Sequence, residues 1–299
     1  MARLAYTVLG GLGAQIDSEP AELGTRKQRA ILAQLLLAEG NAVSVDRLID
    51  GIWGATPPDR AEVSVQAYVS GLRKALEPGR RPRSPSTVLV TRGTGYVLIA
   101  GDADVDVRAL NAAIAAAHEQ QRRGDLESAA SDLRAALAGY RPLLPEFEGL
   151  TFRDEAAAHL ERTVGEAREF SYELRLTLGE HRAIVPELEQ AVRRAPLDEG
   201  LWVLLATARY RLGRQSEALA AIADARRHLA DEIGVDPGPR LRELERDILD
   251  HAPHLESAHL GARPPPPASA APPATRVCAL RMAARSPPHQ QHRHRRPRH

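Results

Sequence analysis

Three short helical patterns followed by a tight hairpin fill the first hundred residues of this 299-residue chain. The helical patterns are TRKQRAILAQLLLAEG, SVDRLIDGIWG and DRAEVSVQAYVSGLRKAL, and the hairpin is TVLVTRGTGYVLI. Apolar residues recur at helical spacing in the first three, whereas Val88 and Val90 of the hairpin alternate with Leu89 and Thr91 before a turn with two glycines. Helix, helix, polar-faced helix and hairpin is the order of a winged helix.

Capping residues predict where the three helices begin. Thr25 and Gln28 form a capping box for the first helix, and Ser44 is a cap for the second. Asp59 and Glu62 have the same spacing and predict a second capping box at the start of the third helix.

The third helix has one apolar face and one polar face. Val65, Val69, Leu72 and Leu76 follow one another at spacings of four, three and four residues. The flanking side offers an amide, hydroxyls and cations, which can contact base edges and phosphates, and the hairpin turn adds further polar groups. The expected DNA contacts are Arg60, Ser64, Gln66, Ser70, Arg73, Lys74, Arg92 and Thr94. The alternative is an ordinary small α+β domain whose polar helix face is only solvated.

A family resemblance covers residues 3 to about 252. The segments LGTRKQRAILAQLLLAEGNAVSVDRLIDGIWG, VQAYVSGLRKAL and TRGTGYVL resemble the OmpR-type DNA-binding domain. With the opening YTVLGGLGA and the later RLGRQSEALAAIADARRHLADEIGVDPGPRLRELERDIL, they resemble the SARP family of AfsR/DnrI/RedD-type antibiotic regulatory proteins. The resemblance implies a transcriptional activator that binds direct repeats near the promoters of a specialised-metabolite gene cluster. It further implies a head-to-tail homo-oligomer on double-stranded DNA that recruits RNA polymerase.

Charge is segregated along the chain. Residues 1–100 carry 12 basic and 9 acidic side chains, a net charge of +3. Residues 101–252 carry 20 basic and 29 acidic side chains, a net charge of −9, and residues 253–299 carry 8 and 1, a net charge of +7. A basic segment at 1–100 joined to an acidic segment at 101–252 indicates that only the first of these two segments contacts DNA.

Residues 101–252 contain a repeated frame of a glycine followed at +5, +9 and +12 by small or aliphatic residues. The frames are Gly124, Ala129, Leu133 and Ala136; Gly179, Ile184, Leu188 and Ala191; and Gly213, Ala218, Ile222 and Ala225. The last two glycines are 34 residues apart, which is the period of a tetratricopeptide helix pair. A long helix from about Phe152 to Gly179 is expected to fill the wider first gap. The alternative is an alanine-rich helical bundle without repeats.

The sequence therefore predicts a mostly α protein with three parts. They are an α+β winged helix at 1–100, a tetratricopeptide-like bacterial transcriptional activation domain at 101–252, and a disordered Pro/Arg/His-rich tail at 253–299. Pro253 disfavours continuation of the last helix, and the residues after it lack a periodic apolar face.

Catalytic and cofactor motifs are missing from the sequence. A phosphate-binding loop has a glycine directly before its lysine, whereas Lys27 follows Arg26 and Lys74 follows Arg73. The motifs HExxH and GxSxG do not occur. Glu146 and Glu148 are interpreted as solvated loop charges. We expect no enzyme activity, cofactor, metal or membrane contact, and the single Cys278 and the short apolar runs favour the cytoplasm. The rival hypothesis is a helical-repeat interaction module whose winged helix does not bind DNA specifically.

Overall fold

The computed structural model describes residues 3–81, 83–101 and 104–255. The chain begins with an antiparallel sheet of strands β1 (Leu4–Thr7), β2 (Gly13–Ile16) and β3 (Glu19–Pro20), in that order. From residue 256 onward the predicted disordered tail lies outside the described residues.

Three helices and a second small sheet form the winged helix. The helices are α1 (Arg26–Leu37), α2 (Val45–Trp53) and α3 (Ala61–Leu76). The sheet has the order β4–β6–β5, from β4 (Val43–Ser44), β5 (Leu89–Arg92) and β6 (Gly95–Leu98). The predicted succession of three helices and a hairpin is confirmed.

Two of the three predicted helix starts are confirmed. The Thr25 hydroxyl accepts a hydrogen bond from the amide of Gln28, and the Ser44 hydroxyl accepts one from the amide of Arg47. The capping box at Asp59 is wrong, because Arg60 occupies the cap position of α3 and makes no side-chain cap bond. A tight turn in which Ala61 donates its amide to the Pro58 carbonyl at 3.0 Å places Asp59 inside the turn, before the cap.

The hairpin reverses in two residues. Arg92 pairs with Gly95, which leaves Gly93 and Thr94 as the loop, and Gly93 takes a left-handed φ of 58°. A Cβ at Gly95 would collide with the carbonyl oxygen of Val43. Glycine is therefore required where β4 crosses close to β6.

The remaining described chain is helical. Its helices are α4 (Asp106–Arg122), α5 (Leu126–Ala138), α6 (Thr151–Thr177), α7 (His181–Arg194), α8 (Glu199–Arg211), α9 (Gln215–Ile233) and α10 (Pro239–Leu249). The frame glycines Gly124, Gly179 and Gly213 all take positive φ and stand between α4 and α5, α6 and α7, and α8 and α9. The aliphatic residue at +9 in each frame is almost completely buried, so the tetratricopeptide-like prediction and the long helix α6 are confirmed.

Two apolar cores meet along α6. The first contains buried residues from Tyr6 to Leu174, and the second contains residues from Leu176 to Leu255. The first core therefore runs across residue 100, where the sequence predicts a domain boundary. The packed chain also passes residue 252, because Leu255 is 3% exposed and its carbonyl accepts a hydrogen bond from Arg211 at 2.9 Å.

Candidate nucleic-acid interface

Helix α3 packs against the protein with its apolar face and leaves the opposite face in solvent. Val65, Val69, Leu72 and Leu76 are each at most 2% exposed, which confirms the predicted inner face. The expected contacts that are exposed on or just before α3 are Arg60, Gln66, Ser70 and Lys74. Arg92 and Thr94 are exposed at the hairpin turn, the tip of the wing. These six side chains are accessible to a large ligand.

Two expected contacts are engaged within the protein. Ser64 is half-buried and donates its hydroxyl to the Arg60 carbonyl at 3.1 Å. The Arg73 guanidinium donates to the Leu89 carbonyl and to the Thr91 hydroxyl, both at 2.8 Å, and lies 5.7 Å from the ring centre of Tyr96. Arg73 therefore holds the wing against α3, a role that the sequence pattern did not indicate.

Glu77, the carboxylate in line with the polar face, is turned away from it. Its oxygens accept hydrogen bonds from the Ser86 hydroxyl and from the amide and hydroxyl of Thr87, the last two at 2.9 and 2.8 Å. Burial raises the pKa of Glu77, but these hydrogen bonds outweigh burial and leave the pKa below its ordinary value. The negative charge thus stabilises the loop that joins α3 to β5. The same loop exposes Arg81 and Arg83, two cations that the expected contact set omits.

An exposed stripe along α3 is formed by Val63, Ala67, Ser70 and Lys74. Its spacing of four, three and four residues repeats that of the buried face two positions earlier, which is about 200° around a helix. Val63 is 60% exposed. Val63 and Ala67 are absent from the expected contacts, which include only polar side chains on this face. The shifted repeat of the apolar spacing is the signal that identifies them.

Two carboxylates connect the N-terminal sheet to the helical domain at a junction defined here by Asp106, Glu146 and their partners. Asp106 accepts hydrogen bonds from the amides of Val8 at 2.9 Å and Leu9 at 3.0 Å. Burial raises the pKa of Asp106 above its ordinary value, since these backbone hydrogen bonds only partly offset it. The carboxylate is therefore held by main-chain donors at a cost in desolvation.

Glu146 contacts the first domain from a short 3-10 helix, Pro145–Phe147, which precedes α6. Its Oε1 atom accepts from the Leu12 amide and from the Arg29 guanidinium, both at 2.8 Å, while Arg26 donates to its carbonyl oxygen. The interpretation of Glu146 as a solvated loop charge is wrong, because a main-chain amide and an arginine of α1 both bind its carboxylate. Glu148, two residues later, is exposed as expected.

The matched families agree with both halves of this structure. Residues 19–98 match the family described as "Transcriptional regulatory protein, C terminal", and residues 105–249 match the "Bacterial transcriptional activator domain". The regulatory protein DnrI of Streptomyces peucetius is 32% identical over 258 residues, which are 85% of this chain and 94% of DnrI. The chain belongs to the SARP family of transcriptional regulators.

Other regulators are similar to this SARP protein over most of its length. The transcriptional regulatory protein EmbR of Mycobacterium tuberculosis is 37% identical across 84% of this chain and 64% of its own length. The regulatory protein AfsR of Streptomyces coelicolor is 40% identical across 84% of this chain, which spans only 25% of AfsR. The structure of Mycobacterium tuberculosis EmbR in complex with a low affinity phosphopeptide superimposes with a TM-score of 0.80 at 36% identity, covering 86% of this chain and 69% of EmbR.

EmbR is named as a transcriptional regulatory protein, and DnrI as a regulatory protein. Within the described ranges, no helix has both the length and the apolar character needed to cross a bilayer. Over the same residues, His, Cys, Asp and Glu side chains do not gather into a cluster that could bind a metal ion.

Proposed function

We propose that this SARP protein is a sequence-specific DNA-binding activator that places α3 in the major groove and its wing tip on the phosphate backbone. The observation that carries the proposal is the exposed face of α3 beside a wing that Arg73 holds in place. A groove reader needs one projecting helix and a second support at fixed distance, and this pair supplies both.

Each exposed side chain has a chemical role in this arrangement. Gln66 can pair with the edge of an adenine through both amide atoms, and Ser70 can contact a base or a phosphate. Arg60, Lys74, Arg92 and the Thr94 hydroxyl can bind phosphates, which position the protein without reading sequence. Ser64 and Arg73 support this surface from within, since both are hydrogen-bonded to the protein.

The biological setting is proposed from the family. Membership with DnrI and AfsR supports direct repeats near the promoters of a specialised-metabolite cluster as the target, in the cytoplasm. It also supports a homo-oligomer on DNA and recruitment of RNA polymerase. The acidic charge of residues 101–252 supports a division of labour in which that domain faces protein partners.

Footprinting of the full chain on the promoters that neighbour its own gene tests the proposal. We expect protection of direct repeats that persists at physiological salt, because base contacts add to the salt-dependent phosphate contacts. The Gln66→Ala variant should relax the preference at one base pair, at a cost of about 1–3 kcal/mol. Gln190→Ala, an exposed glutamine of α7, is the matched control and should bind as the unmodified chain does.

Binding that disappears at physiological salt without any sequence preference would contradict the proposal. That result would favour the rival hypothesis of a helical-repeat interaction module whose winged helix does not bind DNA specifically.

A further inference from the structure

Val63 is the most exposed large apolar side chain among the described residues, with 60% of its surface accessible. It lies in the first turn of α3, on the face opposite the buried Val65 and Val69. A single exposed apolar residue is common on protein surfaces and requires no function by itself. Its position does call for an explanation, because it begins the stripe that continues through Ala67, Ser70 and Lys74.

The stripe changes character along its length. Val63 and Ala67 at the N-terminal end present only methyl groups, Ser70 presents a hydroxyl, and Lys74 presents a cation. Recognition helices contact base edges mainly through their N-terminal residues. Lys74 near the end of α3 and Arg92 at the wing tip add positive charge that complements the phosphates on either side of a groove.

The major groove offers one apolar group for such a surface, the C5-methyl of thymine. We propose that Val63, supported by Ala67, contacts a thymine methyl and so determines part of the operator sequence. The inference rests on the proposed function, because it requires α3 to enter the major groove. It adds an apolar specificity determinant to the polar contacts that the sequence predicts.

Replacement of thymine by deoxyuridine tests the contact, since it removes the methyl and keeps the base pair. A duplex is first selected from a random library with the full chain, and each thymine is then replaced singly. We expect one replacement to weaken binding by about fourfold, the value of one buried methyl group. Val63→Ala should lose a similar factor and become insensitive to that same replacement. Ile233→Ala, which truncates a residue of α9 that is 52% exposed, should keep the full sensitivity.

The possible outcomes distinguish failure of the Val63 contact from failure of the proposed function. Deoxyuridine sensitivity that persists in Val63→Ala, or that occurs at no thymine, overturns the inference and leaves sequence-specific binding intact. A Val63→Ala variant that binds normally but activates transcription poorly also overturns it, since Val63 would then contact a protein. A selection that enriches no sequence overturns the proposed function itself. Thermal unfolding of Val63→Ala should match that of the unmodified chain, because the side chain is exposed.

Discussion

The outer face of α3 with its wing tip and the junction at Asp106 and Glu146 use charged residues in opposite ways. On α3 and the wing, Lys74 and Arg92 are exposed to solvent, whereas Glu77 accepts hydrogen bonds from the loop that joins α3 to β5. At the junction, carboxylates are partly withdrawn from solvent and accept main-chain hydrogen bonds. The net charge of a segment therefore does not tell which charges a ligand can reach. That depends on where the fold brings unpaired main-chain amides near a carboxylate.

The largest effect should come from the junction. Glu146→Ala leaves the Leu12 amide and the Arg29 guanidinium without the oxygen that both now contact. Arg29 and Glu146 side chains are 34% and 25% exposed, so solvent screens part of the loss. We expect a loss of about 2 kcal/mol in the free energy of unfolding, measured in urea.

Glu148→Ala is the control for this prediction. It removes the same type of side chain two residues away, from an exposed position, and should change the free energy of unfolding by less than about 0.5 kcal/mol. Equal effects of the two substitutions would show that the Glu146 contacts do not stabilise the junction.

The next effect should come from the wing tip and should appear in binding instead of stability. Arg92→Ala is expected to remove one phosphate contact and to reduce the slope of log affinity against log salt by about 1. At 0.1 M salt this corresponds to roughly eightfold weaker binding to any duplex. Salt titrations of the variant and of Arg193→Ala, an exposed arginine at the end of α7, provide the measurement and its control. A slope unchanged by Arg92→Ala would remove the wing tip from the interface.

Arg73 is a cation like Arg92 at the wing tip, but it makes contacts within the protein like Glu146 at the junction. Arg73→Ala should cost about 1 kcal/mol of stability, because the bonds to Leu89 and Thr91 are lost. Arg73→Lys keeps the charge but cannot make both bonds in the same geometry. If the role is to hold the wing, Arg73→Lys should weaken DNA binding nearly as much as Arg73→Ala. Full recovery of binding in Arg73→Lys would mean that its charge meets a phosphate.

Periodic features of this fold were predictable because each depends on neighbouring residues. The buried face of α3, the caps at Thr25 and Ser44 and the three glycine frames follow from helix pitch and local hydrogen bonding. The exposed surface of α3 follows from the same periodicity, so most expected DNA contacts lie where a ligand can reach them. Whether they bind DNA stays a prediction.

Contacts between distant segments were not predictable. Glu146 meets Leu12 across 134 residues, and Arg211 meets the Leu255 carbonyl across 44 residues. No local pattern signals such pairs, because the partner is a main-chain group that every residue carries. The DNA contact expected at Arg73 stays a prediction, but its bond to the Leu89 carbonyl was not predictable, since the sequence shows only the charge of Arg73. The error at Asp59 came from the turn at Pro58, which shifts the cap by one residue.

The smallest effects are expected in the pH dependence of stability, at one carboxylate from each of the two regions. The pKa of Asp106 is raised by burial, so its contribution to stability is full below the ordinary aspartate pKa and is lost as the pH rises through the raised value. The pKa of Glu77 is lowered overall, although burial alone would raise it, because its hydrogen bonds prevail. The contribution of Glu77 is therefore present above the ordinary glutamate pKa and is lost as the pH falls through the lowered value.

Urea unfolding at pH 7 and about pH 4 of the unmodified chain, Asp106→Asn and Glu77→Gln measures both slopes, since ordinary carboxyl pKa values lie near pH 4. On acidification the unmodified chain should gain stability relative to Asp106→Asn and lose it relative to Glu77→Gln. Opposite signs are expected because both carboxylates accept backbone hydrogen bonds, but only at Asp106 does desolvation exceed them. Slopes of the same sign would show that burial does not separate the junction from the loop behind α3, and the contrast between the two regions would fail.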